Sequence, residues 1–428
     1  MRRLAVLALC SGILALANSG CGSNAGGSGA PGTNREPGGG GDAGQASRTD
    51  GSVGPSEGGT TAGGGIDGAG GSDSESTSDA MPAEDAPIGT AGGKCAVPVA
   101  AAAEDVSSPT TVIGDGTAAS CTPDEVVAAV AGGGVVTFNC GADPLTIVVP
   151  EIKIVNDGGV TKDGSVTIDG GGKITLSGGG KNRILRQNPC DSSLHYTTTH
   201  CNNQDTPHLV LQNIAFTAGA GLADQVDSGG LLGGGALYVG GGTFKAVNIT
   251  VSDSQQTNAS GQLVQDLAGG ALYTTNMSTP GVIYVVNSTF QGNSGINGGA
   301  LGSIGTSWTI LNSVFKDNSA TGHGENPART GTEGGGLGGA IYNDGNDYTL
   351  TICGAQFEDN LANELGSGSI FQVVDDLNGD LDIDQTTFSG NSDNGDVQQA
   401  ANHPSIFVEA RDMSNGTSGV TITSTTFN

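Results

Sequence analysis

Two short motifs recur down the second half of the chain, and together they constrain its fold more than any other feature. The first is Gly-Gly-Ala followed by Leu or Ile, which occurs at 234–237, 269–272, 298–301 and 338–341. The second is Asn-x-x-Phe-x-x-Asn, of which 287–293 is a clear copy. A repeat that keeps its strand residues while its loops vary in length is typical of a solenoid.

The register of the strands follows when the repeats are aligned on their first Asn. The positions four and two residues before that Asn are apolar in every copy, whereas Lys245, Thr309 and Asp382 stand between them. Alternation with a period of two indicates strands that bury one face. We therefore predict two inward columns, which are Leu209, Phe244, Ile283, Trp308, Leu350, Leu381 and Val420, and Leu211, Ala246, Val285, Ile310, Ile352, Ile383 and Ile422.

The remaining positions of the repeat complete an all-β solenoid. The first Asn falls at a corner, where we expect a ladder of stacked amides, and the Phe three residues later returns to the core as a stack. The 77 Gly residues of the chain suit many short strands joined by turns and disfavour helices. Stacking of parallel strands in register predicts a single-stranded parallel β-helix.

The first residues of the chain indicate export. A basic start precedes an apolar run over 4–17, which is too short to span a bilayer. Small residues then lead to Cys21, as in a bacterial lipoprotein signal, so we predict residues 1–21 to be an export signal with Cys21 as the lipidation site. Residues 22–94 are rich in Gly and Ser and are expected to form a disordered linker. The protein would then lie at the outer membrane or cell surface, in contact with the membrane only through its lipid, or be secreted.

A short helix is predicted at the start of the folded part. Thr122 is suited to cap a helix that begins at Pro123, and Glu125 completes a capping box. Such a helix can cover the open end of a solenoid core. We therefore assign 95–134 to an N-terminal cap and 135–428 to the β-helix.

Six of the eight cysteines lie in the exported domain, where oxidation is expected. Two pairs are close in sequence: one flanks the short polar segment 191–200, and the other flanks the predicted cap helix. By the register above, Cys353 faces outward, so we predict that the segment after Cys95 runs back along that face and is clipped to it, with free thiols as the alternative. The predicted pairs are Cys190–Cys201, Cys121–Cys140 and Cys95–Cys353.

Loops of uneven length leave one corner of the coil between each Phe and the next Gly-Gly-Ala. A short loop between long ones is expected to leave a notch near 292–297. The candidate Ca²⁺ ligands on one side are Asp224, Asp227, Asp253 and Asp266. The other side carries His323, Glu325 and Arg329, where His323 or Arg329 would act as the base of a polysaccharide lyase. Carboxylate pairs for glycoside hydrolysis and ordinary solvated loop residues are the alternatives.

The residue after each Gly-Gly-Ala-Leu or Gly-Gly-Ala-Ile forms a further column. Its members are Tyr238, Tyr273, Gly302, Tyr342, Phe371 and Phe407. If the preceding Leu or Ile points inward, the aromatic rings point outward and stack as a stripe that would bind sugar rings or a partner. Rings that belong to the core or lie under a loop are the alternative.

The charge of the chain limits its partners. A net charge of -28 argues against nucleic acid and anionic lipid. It would also repel an acidic polysaccharide unless Ca²⁺ bridged the two. We expect a monomer that binds a polysaccharide or a cell-surface partner and requires no cofactor, with Ca²⁺ as an optional ligand.

Residues 208–428, with their Gly-Gly-Ala and Phe-x-x-Asn motifs, resemble the repeats of chlamydial-type polymorphic outer-membrane proteins. The resemblance implies the right-handed parallel β-helix of the pectin-lyase fold. That fold carries adhesins, lyases, hydrolases and epimerases alike, so it does not specify a function. We expect a cell-surface protein for adhesion or glycan binding, without catalysis. A Ca²⁺-dependent polysaccharide lyase and a purely structural surface-layer component are the alternatives.

Overall fold

The chain coils because it turns at the same places in every rung. The computed structural model describes residues 93–154, 164–191, 194, 201, 204–222, 233–257, 265–275, 282–345, 347–364, 366–375, 378–394, 405–411 and 419–428. The strands of these residues form four parallel sheets, in which each strand pairs with its counterparts in the neighbouring rungs. The fold is a parallel β-helix, as the repeat predicts. The export signal and the linker predicted over 1–94 lie almost wholly outside the described residues.

One turn of the coil passes through sheets A, B, D and C in that order. Sheet A contains Thr111–Ile113, Gly134–Phe138, Val166–Asp169, His208–Gln212, Thr243–Val247, Val282–Val286, Ser307–Leu311, Tyr348–Cys353, Gly379–Asp384 and Val420–Thr423. Sheet B contains Leu145–Val148, Ile174–Ser177, Ala215–Thr217, Thr250–Ser252, Thr289–Gln291, Val314–Lys316, Gln356–Glu358, Thr387–Ser389 and Thr426–Phe427.

The other two sheets complete each rung. Sheet D contains the short strands Ala220–Leu222, Gln255–Thr257, Ser294–Gly295, Ser319–Ala320, Leu361–Ala362 and Ser392–Asp393. Sheet C contains Ile152–Lys153, Leu185–Gln187, Leu237–Val239, Leu272–Thr275, Leu301–Ile304, Ile341–Asp344, Ile370–Asp375 and Ile406–Arg411. The uneven loops leave the coil between sheets D and C.

Residues with positive φ make the corners on both sides of sheet B. The first Asn of the repeat turns the chain from sheet A to sheet B, and Asn213, Asn248, Asn287 and Asn312 have φ between 48° and 53°. Asp253, Asp317 and Asp359 turn it from sheet B to sheet D, with φ between 50° and 54°. Asn and Asp enter this region more readily than other residues that carry a Cβ.

Stacked amides form a ladder at the last Asn of the repeat. At the first Asn, where we expected the ladder, Asn248 Nδ2 donates to Asn213 Oδ1 at 3.0 Å. The longer ladder is buried and joins Asn293, Asn318, Asn360 and Asn391 through Nδ2 to Oδ1 bonds of 2.9–3.0 Å. Each Nδ2 in it also donates to a backbone carbonyl in sheet B. The last Asn of the motif therefore satisfies backbone groups that the second corner leaves inside the coil.

The predicted inward columns form the core. Every member from Leu209 to Ile383 is buried, and Val420 and Ile422 in the last rung are half-buried. The Phe column stacks with ring centroids 5.2 Å apart for Phe290 and Phe315 and 4.8 Å apart for Phe315 and Phe357. Each stacked pair contributes about 0.5–1.5 kcal/mol beyond its buried area.

The predicted helix caps the first rungs. It covers Pro123–Gly132, and its capping box is complete: Thr122 Oγ1 accepts from the N–H of Glu125, and the Glu125 carboxylate accepts from the N–H of Thr122. Val126 and Val130 are buried against the coil. Two 3₁₀ turns, Val99–Ala101 and Ala118–Ser120, lie before the helix. No helix of the described residues is long and apolar enough to cross a membrane.

All three predicted cysteine pairs form disulfides, Cys190–Cys201, Cys121–Cys140 and Cys95–Cys353. The last joins residues 258 positions apart. Residues 95–104, here called the strap, then cross the outer face of sheet A towards the earlier rungs. They contact Asn312 first, then Lys245, and finally Gln212, which exchanges two hydrogen bonds with the backbone of Glu104.

Candidate functional site

Two long loops meet over the short rung where the sequence predicts a notch. Asn297 is fully buried there, and its Nδ2 donates to the carbonyls of Gln265 at 2.7 Å and Leu267 at 3.1 Å. Its Oδ1 accepts from the N–H of Leu337 at 3.1 Å. A single amide therefore binds both loops, and the described loop residues cover the short rung rather than leaving it open.

Glu364 organises the second loop. Its carboxylate is only 5% exposed and accepts from the N–H of Gly324 at 2.9 Å and from Arg329 Nη2 at 2.8 and 2.9 Å. His323 Nδ1 lies 2.5 Å from the same carboxylate. A buried carboxylate needs such partners to offset the loss of its hydration. Glu364 therefore holds the His323, Gly324 and Arg329 part of the loop in one position.

Glu325 faces the same guanidinium from the outside. Arg329 Nη1 donates to Glu325 Oε1 at 3.0 Å. Partial burial raises the pKa of the Glu325 carboxyl, the charge on Arg329 opposes that rise, and Glu364 and Glu409 reinforce it. The predicted catalytic residues His323, Glu325 and Arg329 thus do lie together, around a fourth residue.

The arrangement limits which of them can carry acid–base chemistry. Arg329 donates to Glu325 through Nη1 and to Glu364 through Nη2, so its guanidinium is placed to hold the loop rather than to accept a proton from a substrate. His323 is different, because Glu364 fixes its Nδ1 while the side chain remains 58% exposed. A base oriented by a carboxylate and accessible to solvent is the usual geometry of a catalytic histidine.

The predicted Ca²⁺ ligands are only partly covered by the structure. Asp224 and Asp227 lie outside the described residues. Asp253 occupies the corner after sheet B, and Asp266 accepts from Asn326 Nδ2 at 2.9 Å. Among the residues that the structure describes, no group of three or more His, Cys, Asp or Glu side chains could hold a metal ion.

The aromatic column is buried beneath the loops. Tyr238, Tyr273, Tyr342 and Phe371 are at most 7% exposed, and Phe407 is half-buried. The rings point away from the main core, as expected when the preceding Leu or Ile points inward, and Ala268, Leu337 and Val373 complete a second cluster around them. The exposed stripe proposed for Tyr238, Tyr273, Tyr342, Phe371 and Phe407 is therefore wrong for the isolated chain, because loop residues occupy the surface that a sugar would need.

One glycine interrupts this column for a steric reason. A Cβ on Gly302 would lie 2.3 Å from the Cβ of Ala268 and 2.5 Å from the nitrogen of Gly269. The segment before Gly269 thus fills the gap between the stacked pairs Tyr238–Tyr273 and Tyr342–Phe371. Burial raises the pKa of Tyr273 and of Tyr342 well above the ordinary value. Both therefore behave as neutral core rings.

Sequence reasoning missed Glu364. It stands four residues after the ladder residue Asn360, at the place taken by Asn297 and Gly322 in earlier rungs. An ionisable residue at this position departs from the repeat, and that departure could have marked Glu364 as a residue with a special role. The partners of Glu364 could not be inferred, because they belong to a loop without repeat character.

Comparison of the chain with protein-family models, with curated proteins and with solved structures found no match.

Proposed function

We propose that this protein is an exported, surface-attached β-helix that functions in adhesion by binding glycans or partner-cell surfaces, without catalysis. The observation that carries the proposal is the Cys95–Cys353 disulfide. It joins the first described residues of the chain to sheet A at the strand Tyr348–Cys353. Any attachment through the preceding segment is therefore transmitted directly into the body of the coil.

The mechanical consequence supports a role in adhesion. A force applied through residues before Cys95 reaches Cys353 without first peeling off the strap or the cap helix. The 258-residue loop closed by the disulfide cannot be extended while the S–S bond is intact. Such an attachment suits a protein that holds a cell against flow.

The N-terminal sequence, the repeats and the disulfides support the same proposal. Cys21 would provide a lipid anchor, and residues 22–94 would serve as the tether between that anchor and Cys95. The Gly-Gly-Ala and Phe-x-x-Asn repeats resemble those of polymorphic outer-membrane proteins. Disulfides persist mainly in oxidising compartments, which fits a surface location.

The test is retention of cells under flow. Host cells that export the full chain should remain on a surface coated with neutral and acidic glycans or with partner cells, whereas cells without it should wash off. The Cys95→Ser, Cys353→Ser double variant should detach at a lower shear than wild type. The Cys190→Ser, Cys201→Ser double variant is the control, because that disulfide closes a local loop. Absence of retention on every surface contradicts the proposal.

A second candidate function is cleavage of a uronate polysaccharide by β-elimination. The observation that favours it is the contact of His323 Nδ1 with the buried Glu364 carboxylate. His323 would remove the proton next to the sugar carboxylate, and the glycosidic oxygen would leave with a proton from solvent, producing an unsaturated sugar. Ultraviolet absorbance of that product, with and without Ca²⁺, tests the idea. A His323→Ala variant should lose it, and no product on any uronate polymer rejects the lyase.

A further inference from the structure

We propose that the cleft between the strap and sheet A is a binding site for an uncharged sugar. The cleft has a volume of about 310 Å³ and is lined by Ala100 and Glu104 of the strap and by His208, Thr243, Lys245 and Tyr284 of sheet A. This volume is at the lower end of the range for small-ligand sites. The inference rests on the proposed glycan binding and gives it a location and a class of ligand.

The floor of the cleft is a row of outward residues on neighbouring strands. Lys245 pairs in register with Val210 on one side and with Tyr284 on the other. The Tyr284 ring is half-buried, so one part packs against the strap cluster while another is accessible. An accessible tyrosine ring offers an apolar face to the C–H groups of a sugar and a hydroxyl at its edge.

The walls carry polar groups that are held in place by neighbours. Lys245 Nζ lies 2.5 Å from Glu104 Oε1 and donates to the carbonyl of Ala100 at 3.4 Å. In the same cleft, His208 Nδ1 and Thr243 Oγ1 are 2.6 Å apart. The Lys245 ammonium, on a side chain that is 11% exposed, has a third N–H, and Glu104, on a side chain that is 49% exposed, has a second carboxylate oxygen. The cleft thus presents fixed donors and acceptors beside an aromatic face.

The charge balance of the cleft selects among sugars. Lys245 and Glu104 neutralise one another, so the cleft offers no net charge to an anionic sugar, while the chain as a whole carries -28 and repels one. A sugar hydroxyl can donate to a carboxylate and accept from an ammonium at the same time. A neutral hexose or its oligosaccharide therefore suits the site better than a uronate.

The strap makes this site depend on the Cys95–Cys353 disulfide. Ala100 and Glu104 form one wall, and the strap is fixed at one end by the disulfide and by Asn312, and at the other by Gln212. Release of the strap would remove Glu104 from Lys245 and open the wall. Sugar affinity should consequently fall when this disulfide is removed.

Calorimetric titration of the full chain with neutral oligosaccharides of glucose, galactose and mannose, and with the matching uronates, tests the site. We expect at least one neutral sugar to bind, with its uronate at least tenfold weaker. Tyr284→Ala and Lys245→Met should each weaken binding at least tenfold, whereas Tyr284→Phe should retain most of it. Thr351→Ala, on the same face of sheet A but outside the cleft, is the matched control.

The outcomes separate this inference from the adhesion proposal. Thermal melting of each variant shows whether the coil remains folded. Tyr284→Phe keeps the ring and removes only the hydroxyl, so it shows whether a loss of binding in Tyr284→Ala comes from a fold defect. If no neutral sugar binds, if uronates bind more tightly, or if Tyr284→Ala binds like wild type, the site is wrong even where cells are retained under flow. Neutral-sugar binding that depends on Tyr284 without any cell retention would support the site and reject the adhesion proposal.

Discussion

The side-chain amide of Asn312 holds the backbone of Cys95 at both of its polar groups. Oδ1 accepts from the N–H of Cys95, and Nδ2 donates to its carbonyl, each at 3.0 Å. In the next rung the corner residue is Gly354, where a Cβ would lie 2.5 Å from Asn312 Oδ1 and 3.1 Å from Cys95 Sγ. The corner column thus changes from Asn to Gly where the strap begins.

Replacing Asn312 with Gly should destabilise the protein more than the same change at Asn287. Both are corner residues, with φ of 51° and 48°, so Gly relieves the same backbone constraint in each. Only Asn312 binds the strap, and loss of its two hydrogen bonds should cost about 2 kcal/mol. Denaturant unfolding gives the difference between the variants, and hydrogen exchange at Cys95 should accelerate only in Asn312→Gly. Equal costs at both sites would mean that the strap contributes nothing through Asn312.

The Cys95–Cys353 disulfide should contribute more to stability than the Cys190–Cys201 disulfide. The loops they close have sequence separations of 258 and 11. In the chain-entropy description, these loops correspond to about 5–6 and about 3 kcal/mol. Unfolding of the two double Cys→Ser variants measures both values. A larger loss from removing Cys190–Cys201 would contradict the prediction.

The sequence predicts the coil well because its signals are local and repeated. The two inward columns, the Phe stack and the outward position of Cys353 all follow from alternation along single strands, and each is confirmed. The capping box at Thr122 is likewise contained in four consecutive residues. Because the repeat recurs, an inference made for one strand holds for the matching strand in every rung.

The site was less predictable because its contacts join segments with no shared pattern. Register left open whether Tyr273 and Tyr342 face the main core or the outside, and it could not show that Ala268 and Leu337 cover them. His323 and Arg329 were correctly placed in one loop, whereas their common partner Glu364 comes from the following rung. Burial of an outward residue depends on the path of a loop, which alternation does not encode.

Glu364→Gln should destabilise the protein more than Glu358→Gln. The Glu364 carboxylate is buried and binds His323, Gly324 and Arg329, so neutralising it weakens several charge-assisted hydrogen bonds. We expect a cost of about 1.5–3 kcal/mol. Glu358 pairs with Lys316 at 3.5 Å on the surface, and its replacement should cost less than about 1 kcal/mol. Matched denaturant titrations compare them, and similar values would show that the loop does not depend on Glu364.

Glu325 should make the protein less stable as the pH rises above the ordinary carboxyl range. Burial, the largest cause, raises its pKa above the ordinary 4.5, so the folded chain keeps a proton that the unfolded chain has lost. Stability therefore falls between 4.5 and the raised pKa of the folded state and levels off above it. Glu325→Gln should remove this fall, so its stability relative to wild type should increase with pH in that window. A difference that does not change with pH contradicts the prediction.

Filling the gap in the aromatic column should destabilise the coil, although it would make the repeat more regular. A Cβ at Gly302 meets Ala268 and Gly269 at 2.3 and 2.5 Å, so Gly302→Ala should cost about 1–3 kcal/mol and Gly302→Tyr more. Adding Ala268→Gly should recover part of the loss, because it removes one of the two close contacts. Gly132→Ala is the control, since a Cβ there meets nothing within 4 Å. If Gly302→Tyr is as stable as wild type, residues 265–268 do not cover the column, and the rings would again be available to a ligand.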